Sequence, residues 1–221
     1  MQTNDRPISE LMISINKGAI QLPDFQRGWV WEDGRIKALI ASITNNYPVG
    51  AAMFLEYGND NIRFKYRVIE GVTATDVIPT ELILDGQQRL TSIYSSLYSR
   101  NAVHTRTDKG KKIFRYYYID IKKACDPNCD RVDAIFSVPE TRIITSNFGR
   151  NIELDLSDRT KEFENKMFPL NLILDFPEEQ NWQNEYYAFY NYNQEIIKEF
   201  TEFNKNCLLY TSPSPRDLST S

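Results

Sequence analysis

Residues 81–97, ELILDGQQRLTSIYSSL, hold two hydrophobic periods with almost nothing between them. Glu81–Leu84 is a short apolar run, long enough for a strand and too short for a helix. It stops at Asp85-Gly86, a pair suited to a tight turn. From Gln87 onward Leu90, Ile93, Tyr94 and Leu97 recur at helical spacing, which predicts a helix to about Ser99. A strand that bends straight into a helix belongs to a fold in which helices pack around a sheet.

The flanking segments supply the other elements of an α+β architecture. Pro7–Lys17 predicts a helix with Ile8, Leu11, Met12 and Ile15 on one face, ended by Gly18. Ala19–Leu22 predicts a short strand. The irregular segment LPDFQRGWVWEDGR follows, and Asp33 is expected to cap a helix running to about Asn46, with Ile36, Leu39, Ile40 and Ile43 inward. Strands are predicted over 51–57 and 62–69, joined by a loop, Gly58-Asn59-Asp60-Asn61, of hairpin-turn composition. With 81–84 they are expected to form a small mixed sheet. Further on, 101–112 reads as a polar loop, 113–121 and 132–138 as strands, and 178–206 as mainly helical.

Composition narrows the chemistry. His104 is the one histidine in 221 residues, so neither a histidine-rich metal centre nor a nuclease motif needing two histidines fits within this chain. Cys125, Cys129 and Cys207 are too few for a disulfide framework. No apolar run reaches the roughly 18–20 residues that span a bilayer, and the first residues lack a signal peptide's pattern, so a cytoplasmic protein with no membrane partner is expected. The net charge of -4 does not advertise nucleic-acid binding. Locally, however, Arg106, Lys109, Lys111 and Lys112 crowd one polar loop. That patch is either a solvated surface or a contact for a polyanion.

Two constellations carry candidate chemistry. At the bend after Leu84, Gly86 permits a tight turn, and the first amides of the next helix favour an anion. Arg89 adds a planar donor fork suited to phosphate. Gln87 and Gln88 donate and accept without adding charge. Asp85 could hold Mg²⁺ or orient water, and Thr91 could offer a hydroxyl. In the plainer alternative Asp85 is a helix cap and Arg89 a solvated side chain. The second constellation is PDFQRGWVW (residues 23–31), where Gln26 and Arg27 again pair a carboxamide with a guanidinium among aromatic rings that could anchor the loop or stack on a base.

Together LPDFQRGWVW, LIASITNNYPVG and LILDGQQRLTSIYSSL, in that order, resemble the N-terminal domain of GmrSD-type restriction endonucleases. That family is similar, more distantly, to the ParB/sulfiredoxin-like superfamily, in which a G-x-x-R turn opens a phosphate-binding helix; Gly86 to Arg89 match it. The resemblance implies a ParB-like domain that binds and hydrolyses a nucleoside triphosphate with Mg²⁺. It implies Asp85 and Gln88 as catalytic, Asp85 on the metal, and Gly86, Gln87, Arg89, Thr91, Gln26 and Arg27 around the nucleotide. It also implies DNA as a partner, specifically modified foreign DNA such as that of phage, and a histidine-dependent HNH-like nuclease domain or subunit missing from this chain. A homo-oligomer is compatible with it. The alternative is a nucleotide-gated DNA-binding or assembly module without turnover.

The expected organisation is a nucleotide-binding domain over 6–140 and the start of a mainly helical region over 141–206. Residues 207–221, CLLYTSPSPRDLSTS, are expected to form a disordered or non-native tail, because they resemble adapter-derived translation at the end of truncated reading frames.

Overall fold

The computed structural model describes residues 4–58, 64–74, 76–207 and 219–220. A two-residue strand, β1 (Asn4–Asp5), leads into α1 (Ile8–Asn16), which buries Ile8, Leu11, Met12 and Ile15 as the helical spacing requires. Gly18, at φ +74, turns the chain out of the helix into β2 (Ile20–Pro23), buried along its whole length. The segment 24–32 is followed by α2 (Asp33–Thr44). Asp33 does not cap that helix: Glu32 holds the cap position without a side-chain bond. The Asp33 carboxylate instead accepts from Tyr117 Oη (2.8 Å) and Ser137 Oγ (2.7 Å), and so ties α2 to a sheet. Burial, reinforced by this carboxylate, pushes the Tyr117 phenol well above its ordinary pKa.

Next come β3 (Met53–Glu56), β4 (Tyr66–Arg67), β5 (Glu81–Asp85) and α3 (Gln87–Leu97). The first sheet has the order β3-β5-β2-β4, with β2 and β5 parallel and both edges antiparallel. The predicted hairpin between 51–57 and 62–69 is therefore not formed, because its strands lie at opposite edges. Asn59, Asp60, Asn61, Ile62 and Arg63 of that prediction fall outside the described residues. The physical reason lies in β2, buried along its whole length, and in the Leu82–Leu84 run of β5, which together take the centre of the sheet with a neighbour on each side. Arg6 secures β5 from outside through a bidentate pair with Glu81 (2.6 and 2.5 Å).

The second sheet is built on β7 (Lys112–Asp120), which pairs antiparallel with β6 (Val103–Arg106), β8 (Ile135–Pro139) and β11 (Met167–Pro169). The predicted polar loop over 101–112 is thus mostly a hairpin. Its signal is alternation: Val103 and Thr105 are buried, while His104 is exposed. Short helices α4 (Ile121–Cys125) and α5 (Arg131–Ala134) precede β8. A separate ribbon, β9 (Ile143–Ser146) with β10 (Asn151–Asp155), and α6 (Arg159–Glu164) precede β11. The chain then forms α7 (Phe176–Phe189), α8 (Gln194–Cys207) and β12 (Ser219–Thr220), the last pairing with β1.

The architecture is α+β, with a small mixed sheet surrounded by helices and a partly helical C-terminal region. One core cluster runs from Ile8 to Cys207 and takes side chains from both sheets and from α7 and α8. Its C-terminal part is aromatic: Trp182 stacks on Tyr186 (5.0 Å) and meets Phe163 and Phe168 edge-on (5.1 and 5.0 Å). Among the described residues no helix is long and apolar enough to cross a membrane.

Candidate functional site

The bend between β5 and α3 is built on Gly86, held at φ +88. A Cβ there would stand 3.1 Å from the Ala52 Cβ, so both conformation and space select glycine. Helix α3 starts with no side-chain cap and no acidic residue in its first turn. The positive end of an eleven-residue helix is therefore neutralised by none of its own side chains. Asp85 stands beside it with 77% of its side chain exposed; its nearest charged partner is Arg89, Nη2 to Oδ2 3.8 Å.

The two sequence constellations meet here. Gln87 Nε2 donates to the Arg27 carbonyl (2.6 Å). Gln88 donates to the Gly28 carbonyl (3.1 Å) and accepts from the Val30 amide (3.1 Å). In return Gln26 Nε2 donates to the Leu84 carbonyl (2.9 Å), with a longer contact to that of Ile83 (3.3 Å). Trp29 Nε1 donates to Ser92 Oγ (2.9 Å), which itself donates to the Gln88 carbonyl (2.7 Å). The 26–30 loop and the first turns of α3 are thus stitched into one unit, and most of the polar motif is spent on the stitching.

Arg89 does not have the free guanidinium that the sequence suggests. Its Nη1 donates to the Val49 carbonyl (2.6 Å) and its Nη2 to that of Ala51 (2.7 Å). The chain wraps this fork closely: Gly50, at φ +93, has no room for a Cβ beside Nη1. Of five guanidinium N–H groups, two are spent in this way. Thr91 is buried at 1% exposure, and its hydroxyl has no hydrogen-bond partner. Arg27 is exposed, its carbonyl held by Gln87 and, at 3.4 Å, by Arg67.

The basic segment divides in the same way. Arg106 donates through Nε (3.1 Å) and Nη2 (2.5 Å) to the Val30 carbonyl, so it anchors the loop. Lys109, Lys111 and Lys112 are exposed around the β6–β7 turn. Between this hairpin and the loop lies a cleft of about 300 Å³ walled by Trp29, Val30 and Trp31, with Glu70, His104 and Lys112 at its polar side. His104 is exposed and stacks on Phe114 (4.8 Å, 13° between planes). The cleft is not lined by Arg89, Gln26 or Arg27.

Among the described residues no group of three or more His, Cys, Asp or Glu is placed to hold a metal ion. The donor set at the bend is one open carboxylate beside an uncapped helix. That fits a Mg²⁺ shared with phosphate oxygens and does not fit a closed protein cage.

The residues that sequence reasoning missed are Gly50, Arg67, whose guanidinium donates to the Gln26 carbonyl (3.2 Å), and Val49 and Ala51, which act through their carbonyls. Gly50 alone left a trace, as the glycine closing N-Y-P-V-G.

A sheet strand running into a glycine-capped helix, with a Gln-Arg loop bound across it, defines a class of α+β domain with an open helix N-terminus. The chain belongs to the family of the GmrSD restriction endonuclease N-terminal domain, whose family model matches residues 8–217. It is 29% identical over 212 residues to the uncharacterized protein MJ0686 of Methanocaldococcus jannaschii. That alignment takes in 93% of this chain and spans about a third (34%) of the relative's length.

Proposed function

We propose that this domain binds and hydrolyses a nucleoside triphosphate within a DNA restriction system directed at modified foreign DNA, phage DNA included. The single observation that carries the proposal is the N-terminus of α3, an uncapped positive helix end fixed between two loops with one open carboxylate beside it. Membership of a restriction-endonuclease domain family supports the setting.

In this reading the Gly86–Arg89 amides receive phosphate oxygens. Arg89 offers its remaining N–H groups while holding residues 49–51 against the bend. Asp85 would hold Mg²⁺, whose contribution is to neutralise phosphate charge. Asp85 and Gln88 would orient the attacking water, so that catalysis is mainly positioning and electrostatics. Gln87, Gln26 and Arg27 complete the surround, while Thr91, 1% exposed, is buried behind it. DNA would meet the exposed Lys109, Lys111 and Lys112, next to Arg106. With one histidine in the chain, cleavage falls to an HNH-like nuclease domain or subunit outside it, and a homo-oligomer remains compatible.

One observation favours the second reading, a nucleotide-gated DNA-binding or assembly module. Two of the five Arg89 guanidinium N–H groups are used internally, and among the described residues no cluster of three or more His, Cys, Asp or Glu is placed to hold a metal. Phosphate release with Mg²⁺ and DNA, from the intact protein with its nuclease partner, separates the two. Turnover abolished by Asp85→Asn supports hydrolysis, whereas binding without turnover supports the gate. Arg89→Ala is expected to lower nucleotide affinity at least tenfold by calorimetry, and unchanged affinity would remove Arg89 from the site.

A further inference from the structure

A second cavity lies away from the bend, between β7, the β8–β9 turn, α6 and the start of α7. It measures about 200 Å³, and three arginines line it: Arg100, Arg142 and Arg159. The acidic residues on its wall are Glu162 and Glu178, and Asp175 and Glu185 stand beside Arg100 and Arg159.

The three guanidinium groups differ in what they already hold. Arg100 is committed, with Nη2 on Asp175 Oδ2 (2.6 Å) and Nη1 on the Asn171 carbonyl. Arg159 is not. Its carboxylate neighbours, Glu162 and Glu185, stand at 3.8 and 3.6 Å, beyond hydrogen-bond distance, and its buried Nη1 has no hydrogen-bond partner. A buried guanidinium nitrogen without an acceptor is costly unless something supplies one. Arg142 engages the Tyr116 side chain, its guanidinium carbon 4.5 Å from the ring centre, and is attracted by Glu162 without a close ion pair.

Arg142 also sits at φ +58, in the left-handed region that a long side chain rarely occupies. Strain of this kind persists where the surroundings impose it, and it gathers at binding sites. Here it holds a guanidinium in the wall of a cavity that Arg159 also lines. Glu162 lies near both forks, 3.8 Å from Arg159 Nε, and its oxygens are hydrogen-bonded elsewhere. Its oxygens accept from Tyr118 Oη (3.0 Å) and Trp182 Nε1 (2.9 Å), and burial raises its pKa, which favours the neutral form.

We infer that this cavity is a binding site for a single phosphate group, gripped by the forks of Arg142 and Arg159 with Arg100 as a fixed third cation. Planar guanidinium forks match the oxygens of a phosphate. The volume lies below that of pockets for drug-sized ligands, which favours one phosphate over a triphosphate. The phosphate belongs either to a free nucleotide or ion, or to a polynucleotide backbone. This inference is independent of the site at Gly86.

The test is calorimetric titration of the full chain with inorganic phosphate, beside Arg142→Gly and Arg159→Gln. Glycine accepts the positive φ, so Arg142→Gly should keep or raise the melting temperature while weakening phosphate binding at least tenfold. Arg159→Gln should weaken it as well. Competition by thymidine 5′-monophosphate, by the dinucleotide d(TpT), or by neither identifies the source as nucleotide, strand or free ion. No phosphate binding by the parent overturns the inference, as does parental affinity in both variants. Loss of binding in Arg89→Ala but not in Arg142→Gly also overturns it, because the phosphate then sits at the bend.

Discussion

Gly50→Ala tests whether Arg89 and the 49–51 loop act as one clamp. Two costs follow from the geometry. The first is conformational: Gly50 sits at φ +93, and a side chain in that region costs about 1–2 kcal/mol. The second is steric, because the new Cβ overlaps Arg89 Nη1. A guanidinium is the flexible end of its side chain, so it swings away and gives up the Val49 and Ala51 carbonyls. A hydrogen bond from a charged donor is worth about 1.5–3 kcal/mol, and the exposed bond to Ala51 counts for little, so the pair contributes roughly 1.5–2 kcal/mol. The single variant should therefore lose about 3 kcal/mol in urea unfolding. In an Arg89→Ala background there is nothing left to displace, and Gly50→Ala should cost only the conformational 1–2 kcal/mol. The double-mutant cycle should thus show a coupling of about 1.5–2 kcal/mol. Additivity within about 0.5 kcal/mol would refute the clamp.

Two further outcomes are expected. Glu162 has its pKa raised by burial from an ordinary value near 4.5, against the pull of its Trp182 and Tyr118 hydrogen bonds. A raised folded pKa means stability that is present below the ordinary value and lost as pH rises through the folded one. Glu162→Gln, which cannot ionise, should therefore lose less melting temperature than the parent between about pH 5 and 8; parallel profiles would show that Glu162 does not titrate there. For DNA, replacing Lys109, Lys111 and Lys112 with Ala should reduce the slope of log K against log salt by about 2–3, near 0.9 per lost phosphate contact. An unchanged slope would move the contact elsewhere.

What the sequence made legible is what local periodicity encodes. Helix α1, helix α3 and the bend at Gly86 follow from apolar spacing and one glycine, with boundaries within a residue or two. The partners of each strand do not follow, because pairing is a long-range choice. Strands β3 and β4 look like a hairpin in sequence, yet β5 takes one and β2 the other. The polar residues 103–106 hid a strand because only two of the four face inward. Asp33 has the composition of a cap but finds Tyr117 and Ser137 some hundred residues away.

The candidate site was legible in its residues and hidden in their partners. Hydrogen bonds to backbone carbonyls leave no mark on the identity of the residue that accepts, so Val49, Ala51 and Gly28 carried no signal as partners. The donors did carry one. Gln88 donates to the Gly28 carbonyl and accepts from the Val30 amide with a single side chain. A carboxylate could only accept and an ammonium only donate, so a carboxamide is the group that joins both atoms of a loop without adding charge. Gln26 and Gln87 meet carbonyls on the same terms. That is a packing purpose for the paired glutamines, and it changes how the motif divides. The carboxamides and part of the Arg89 fork hold three backbone segments around the start of α3, while Asp85, the first-turn amides and the remaining Arg89 N–H groups stay open to a ligand.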